Sequence, residues 1–234
     1  MTMTNSLAAR FAAANDALPL VAVLRGLAPL EAEAVGHTLY AAGFRLLEVP
    51  LNSPDALASV RTLRAALPAD ALVGAGTVTT TDDVGAIRDA GGDMVFSPHF
   101  DPEVVRAAKA AGLICVPGVA TPSEAFGALR AGADALKLFP AGELVTPGVV
   151  KAIRVVLPKG TRLMPFGGIT PDAMRPSVEA GAQSFGIGTA LYKPGMGCDD
   201  IARRAAAFTA AWGALRDLVQ PAGAPAPSLA AQPA

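Results

Sequence analysis

Residues 131–141 read A-G-A-D-A-L-K-L-F-P-A, and the fold is decided on this stretch. Gly132 suits the left-handed position that stops a helix. A short apolar run follows at once, Ala135–Ala141. It is apolar on both alternating sides, as a strand covered on both faces must be. A lysine, Lys137, stands in its middle. The same unit, a helix ending in AGF, AGG, AGL or AGA and then a strand-like run, recurs along the chain. The runs are Pro19–Gly26, Phe44–Leu51, Leu72–Val78, Asp93–Pro98, Leu113–Val119, Ala135–Ala141, Arg162–Gly168 and Ser184–Gly188.

Helix starts are marked between these runs. Ser53-Pro54 and Thr170-Pro171 set an N-cap residue before a proline suited to the first helical turn. Thr121-Pro122-Ser123-Glu124 adds a carboxylate three residues after the threonine, the spacing of a capping box. Strands buried on both faces and separated by helices imply a parallel sheet. Eight such units in 234 residues predict a single (β/α)8, or TIM, barrel, a fold that needs about 200–250 residues. An open doubly wound sheet is the alternative, and no GxGxxG turn follows the first strand to favour it. Residues 4–17 predict an extra amphipathic N-terminal helix capping the barrel bottom. The barrel domain is set at 1–217. Residues 218–234 are rich in alanine and proline and predict a disordered tail.

Hydrophobic residues make up 52% of the chain, enough for a large core, yet no apolar run reaches the roughly 18 residues of a membrane span. Met1–Arg10 is polar and lacks the apolar centre of a signal peptide. The expectation is a cytoplasmic protein with no membrane partner. Net charge is −1 with no basic block, which argues against nucleic acid. Cys115 and Cys198 are far apart and read as reduced thiols. With only His37 and His99 and no paired Cys/His motif, no metal site is expected. His37 reads as structural, His99 as a polar loop residue on the functional face, and Trp212 as packing for the last helix.

Alternation along the strands places the chemistry. If Leu136 and Leu138 face the helices, Lys137 points inward with Ala135 and Phe139. An amine in such surroundings either snorkels out or closes an ion pair, or else it is held uncharged and becomes a nucleophile. By the same parity Leu47 and Val49 face outward in LLEVPL, and Glu48 faces inward. The pair is then a structural salt bridge or a nucleophile with its acid–base partner. Arg25 ends the first strand, and Thr77 sits in GAGTV, whose Gly74, Ala75 and Gly76 read as room for a ligand. Gly167-Gly168 and Gly188-Thr189 follow the seventh and eighth strands, where barrels of this kind commonly bind a phosphate. The ligand predicted is a small anion held at both ends.

LEVPLNSP, GAGTV, PGVATPSEA, ALKLFPA and GGITP, in that order, resemble the bacterial 2-keto-3-deoxy-6-phosphogluconate and -galactonate aldolases over about residues 18–215. LRG with Arg25, and Asn52 in LNSP, look more like the galactonate branch. The resemblance implies a class I, Schiff-base aldolase acting on a small phosphorylated keto acid. Lys137 would be the nucleophile, and Glu48 the acid–base group. Arg25 and Thr77 would contact the carboxylate end, and Gly167, Gly168, Gly188 and Thr189 the phosphate. It implies no cofactor, and a homotrimer. Phe166 departs from the pattern, since a valine or threonine is expected before the glycine pair, and this bears on sugar stereochemistry. The gluconate-type enzyme, a phosphate-binding barrel isomerase or synthase, and a non-catalytic phosphosugar-acid sensor are the rival readings.

Overall fold

The computed structural model of the chain describes residues 6–219. Nearly all of the expected tail, residues 220–234, lies outside the described residues, as do residues 4 and 5 of the expected first helix. Strands and helices alternate: α1 (Leu7–Ala17), β1 (Leu20–Val23), α2 (Pro29–Ala41), β2 (Leu46–Pro50), α3 (Ala56–Ala66), β3 (Leu72–Gly76), α4 (Thr81–Asp89), β4 (Met94–Phe96) and α5 (Pro102–Ala110). There follow β5 (Ile114–Val116), β6 (Gly118–Val119), α6 (Pro122–Ala131), β7 (Leu136–Leu138), α7 (Pro147–Val156), β8 (Leu163–Pro165), α8 (Met174–Glu179), β9 (Phe185–Ile187) and α9 (Cys198–Gly213). Every one of the eight predicted runs contains strand.

All pairings are parallel. The strands curl into one six-stranded sheet, β5-β4-β3-β2-β1-β9, and one three-stranded sheet, β6-β7-β8. The closed eight-ladder ring expected from the sequence is therefore interrupted. The predicted run Leu113–Val119 is cut by Pro117, which has no N–H to give to a ladder. Across the other seam, β8 and β9 are joined by an isolated parallel bridge, Phe166 to Gly186, and by the Gln183 N–H donating to the Leu163 carbonyl at 3.0 Å.

The predicted helix stops are confirmed: Gly43, Gly91, Gly112, Gly132 and Gly181 all have positive φ. The Thr121–Glu124 capping box forms, and Thr80 builds a second one with Asp83. The expected Ser53 cap does not. α3 starts at Ala56 behind Asp55, and Ser53 Oγ instead accepts the Gly26 N–H at 2.9 Å, tying the loop after β2 to the loop after β1. Thr170 caps a turn rather than a helix, because Pro171–Ala173 precede the short α8.

Strand alternation divides the interior into two apolar clusters. The larger lies between sheet and helices and takes Ala22, Leu47, Val49, Val73, Ala75, Val95, Leu136 and Leu138 from the strands. The smaller lies on the opposite, inner side of the strands: Val21, Val23, Leu46, Leu72, Met94, Phe96, Ile114, Val116, Ala135, Met164 and Phe166. Phe11 and Ala14 of α1 join this inner cluster, so α1 stops one end of it. Asn15 supports the stopper: its Oδ1 accepts from Ser184 Oγ at 2.8 Å. At the same end, Asp93 accepts from Arg10 and Arg64 at 3.2 Å each and from the Val73 N–H at 3.1 Å. Asp134, which precedes β7, repeats the device against β5, taking the Cys115 N–H at 2.8 Å and Lys109 Nζ at 2.6 Å. The inner row is thus packed and braced at one end, and its polar members gather at the other.

Candidate active site

At the end of the inner cluster remote from α1, the inward positions become polar. Leu46 is followed two residues on by Glu48, and Ala135 by Lys137, as alternation requires. Glu48 is 1% exposed and Lys137 6% exposed. Both line a cavity of about 430 Å³, within the size range of small-ligand sites. The predicted inward geometry of both residues therefore holds, and they share one chamber.

Burial dominates the electrostatics of each group. It pushes the Glu48 carboxyl above the usual carboxylate range, and the positive charges of Lys137 and Arg25 act against that rise. It pulls the Lys137 ammonium below its ordinary range. Glu48 opposes this shift, while Arg25 adds to it by repulsion. A buried amine with a depressed pKa is a ready nucleophile, and a buried carboxyl with a raised one is suited to giving and taking a proton within one cycle. One carboxylate oxygen, Oε2, is buried without a hydrogen-bond partner among the described residues, so it retains acceptor capacity. Two aromatic rings flank the amine: Nζ lies 4.6 Å from the centroid of Phe166 and 5.2 Å from that of Phe139.

The GAG run after Val73 has a different role from the one its composition suggested. A Cβ on Gly76 would lie 2.8 Å from Glu48 Oε1, 2.9 Å from its Cδ and 3.0 Å from Oε2. A Cβ on Gly74 would meet the Met94 backbone oxygen at 2.1 Å. These glycines make room for neighbouring protein atoms rather than for a ligand. Gly76 in particular provides the slot in which the carboxylate rests.

Of the two residues expected at the carboxylate end, only Arg25 lines the cavity. Its Nη1 donates to Asn52 Oδ1 at 2.6 Å, which sets the guanidinium's direction at the rim. Thr77 does not line the cavity. It directly follows β3 with φ of 59°, a left-handed value that a β-branched residue rarely adopts. Exposed His99 does not line it either.

The predicted anion-binding glycines do converge. Gly167, Gly168, Gly188 and Thr189 all line the cavity. Gly167 and Gly168 have φ of 114° and 63°, a pair of conformations that only glycine adopts cheaply. Two cations there escaped the sequence reading, Lys193 and Arg204. Arg204 reaches over from α9, and its Nη1 donates to the carbonyls of Thr189 and Ala190 at 3.3 and 3.2 Å. The only local signal was a basic residue in the turn after Gly188-Thr189. The chamber therefore brings together a nucleophile, a proton carrier, the Arg25 guanidinium, and glycine loops with two further cations. Among the described residues no group of three or more His, Cys, Asp or Glu side chains could hold a metal.

Residues 13–205 match the family model described as KDPG and KHG aldolase. A protein of Rhizobium meliloti (strain 1021) named "Probable 2-dehydro-3-deoxy-6-phosphogalactonate aldolase" is 45% identical over 84% of this chain and 92% of its own. A 2-dehydro-3-deoxy-6-phosphogalactonate aldolase of Escherichia coli (strain K12) is 40% identical over 87% of this chain and 97% of its own. Among solved structures, one described as native KDPGal superposes with a TM-score of 0.83 at 39% identity, covering 86% of this chain and 97% of that one. The KDPG aldolase of Legionella pneumophila, solved with pyruvate captured as a covalent carbinolamine, superposes with a TM-score of 0.73 at 27% identity, covering 90% and 98%.

Proposed function

The chain belongs to the KDPG and KHG aldolase family, and from that premise we propose that it cleaves 2-dehydro-3-deoxy-6-phosphogalactonate to pyruvate and D-glyceraldehyde 3-phosphate, with Lys137 as nucleophile and Glu48 as proton carrier. The observation that carries the reading is the convergence of these two inward side chains on one cavity that is also lined by Arg25, Lys193 and Arg204.

The uncharged Lys137 amine attacks the C2 ketone and gives a carbinolamine. Glu48 in its acid form protonates the departing hydroxyl, water leaves, and a cationic imine remains beside a carboxylate. The carboxylate takes the proton of the C4 hydroxyl, directly or through a water. The C4–O electrons form the aldehyde, the C3–C4 bond breaks, and its pair flows through C2 to the nitrogen as an enamine. Glu48 returns the proton to C3, and water hydrolyses the cationic imine to pyruvate and free amine, the carboxylate taking up the proton this releases. Protons balance, because the carboxyl gives one at dehydration and one at C3 and recovers one at cleavage and one at hydrolysis. Arg25 suits the substrate carboxylate. The glycine loops, Lys193 and Arg204 suit the phosphate. The two curled sheets are read as one eight-stranded barrel whose ladder lapses at the two seams. The chain is further read as a cytoplasmic homotrimer, to be tested by fractionation and sedimentation.

Borohydride with pyruvate should add one reduced pyruvate to Lys137 by mass. Folded protein left unlabelled would overturn the Schiff-base reading. Glu48→Gln should lower turnover far more than it lowers labelling by pyruvate. Comparing kcat/KM on the two C4-epimeric substrates tests the galactonate assignment.

A further inference from the structure

The proposed cycle asks one nitrogen to be two opposite things. It must be an uncharged amine to attack and a cationic imine to draw electrons from the C3–C4 bond. Burial of Lys137 serves the first state and penalises the second. The negative charge of Glu48 accompanies the cation at the imine stage, but it is neutralised as the carboxylate takes the C4 proton. A stabiliser of the cation that does not titrate would persist through that step.

We propose that Phe166 and Phe139 are that stabiliser, a pair of aromatic faces that hold the positive charge of the imine through their quadrupoles. The inference rests on the Schiff-base reading above. The centroids lie 4.6 and 5.2 Å from Nζ, inside the roughly 6 Å over which a ring face attracts a cation, and the attraction is larger when water is excluded. Phe166 is 3% exposed, so its face acts in a dry setting, whereas Phe139 is 37% exposed and acts more weakly. The ring of Phe166 is fixed by its neighbours. It fills the space over Gly186 of β9, where a Cβ would lie 2.1 to 2.4 Å from its ring atoms. Its other flank meets Phe96 at a centroid distance of 5.6 Å. Phe166 with Gly186 is thus a matched pair: the glycine leaves a notch, and the notch sets the ring beside the amine. This assigns a function to the one residue that departs from the expected pattern at this position. Because the quadrupole is permanent, it favours the imine without consuming the proton that Glu48 needs.

The test replaces Phe166 in the full-length protein by mono-, di- and trifluorophenylalanine, which keep the shape of the ring while draining its face of negative charge. The readout is the pyruvate concentration that half-labels Lys137 under borohydride, determined by mass spectrometry. It should rise stepwise with each fluorine, to about tenfold across the series. The same series at Phe139 should rise less, and it reads the effect independently if trifluoro-Phe166 packs poorly against Phe96. Flat series at both positions, with wild-type protein labelled normally, would overturn the aromatic proposal and leave the Schiff base intact. Failure to label Lys137 in the wild type would overturn both.

Discussion

Consider Gly76→Ala. The substitution adds one methyl to β3, where the backbone accepts it: the glycine lies in a paired strand, opposite Pro50, and is not among the positive-φ residues. The methyl would sit 2.8 to 3.0 Å from three atoms of the Glu48 carboxylate. Ordinary contact lies near about 3.5 Å, so the carboxylate must withdraw by roughly half an ångström to one ångström. The carboxylate is the end of a flexible side chain and can do this without unfolding the strand. Displacement of a catalytic group by about 1 Å costs on the order of 10²-fold in rate. A fall in kcat of about tenfold to a hundredfold is therefore expected, or about 1.4–2.7 kcal/mol of barrier. The amine of Lys137 is not touched. Pyruvate labelling under borohydride should stay within about twofold of wild type, a split that marks loss of an interaction used in cleavage rather than in binding. The assay is steady-state cleavage coupled to pyruvate reduction, run beside the labelling titration and a thermal melt. If kcat is unchanged, the slot on Gly76 does not position the carboxylate for chemistry. If labelling and kcat fall together with the melting temperature, the methyl acts on the fold, and the positional argument fails.

Three further outcomes follow from the same geometry. The acid limb of imine formation with pyruvate should lie below 10.5, the ordinary value for a lysine, because burial favours the free amine; Glu48→Gln removes the charge that raises the Lys137 pKa and should move the limb lower still, read as labelling rate against pH. Arg204→Met should raise KM by about tenfold with kcat nearly held, the pattern of lost uniform binding, and should weaken inhibition by inorganic phosphate in parallel. Thr121→Ala removes the acceptor for the Glu124 N–H, at 3.3 Å, and half of the capping box on α6; it should cost about 1 kcal/mol in urea denaturation and leave turnover unchanged.

The parts of this molecule that were legible in the sequence are those fixed by local rules. Alternation within ALKLFP and LLEVPL put Lys137 and Glu48 on the same side of the sheet, and the glycines after five of the helices marked where strands begin. The Thr121–Glu124 box was visible because all its atoms lie within four residues. What was not legible depends on register between strands or on the reach of side chains from elsewhere. Gly76 opposes Pro50 of β2, and only that pairing shows that its missing Cβ accommodates a carboxylate two residues back on the neighbour. The same holds for Gly186 and Phe166. Ser53 looked like a cap because it precedes a proline, yet a neighbouring loop offers its hydroxyl a better donor in Gly26. Thr77 looked like part of the pocket because its small neighbours in GAGTV read as room for a ligand, yet the space at those glycines is filled by protein atoms and φ becomes positive directly after the strand. Arg204 lies in the middle of a helix, and only the packing of α9 over the rim brings its guanidinium to the loop at Thr189.

The stopper at the opposite end has a meaning of its own. Phe11 belongs to the same apolar column that ends at the amine, so the column is a dead-end shaft rather than a pipe. A nucleophile whose readiness comes from dryness depends on the shaft staying shut at the bottom as much as on its mouth. The opening helix, which meets no substrate, thereby acts as waterproofing for chemistry performed at the far side of the protein.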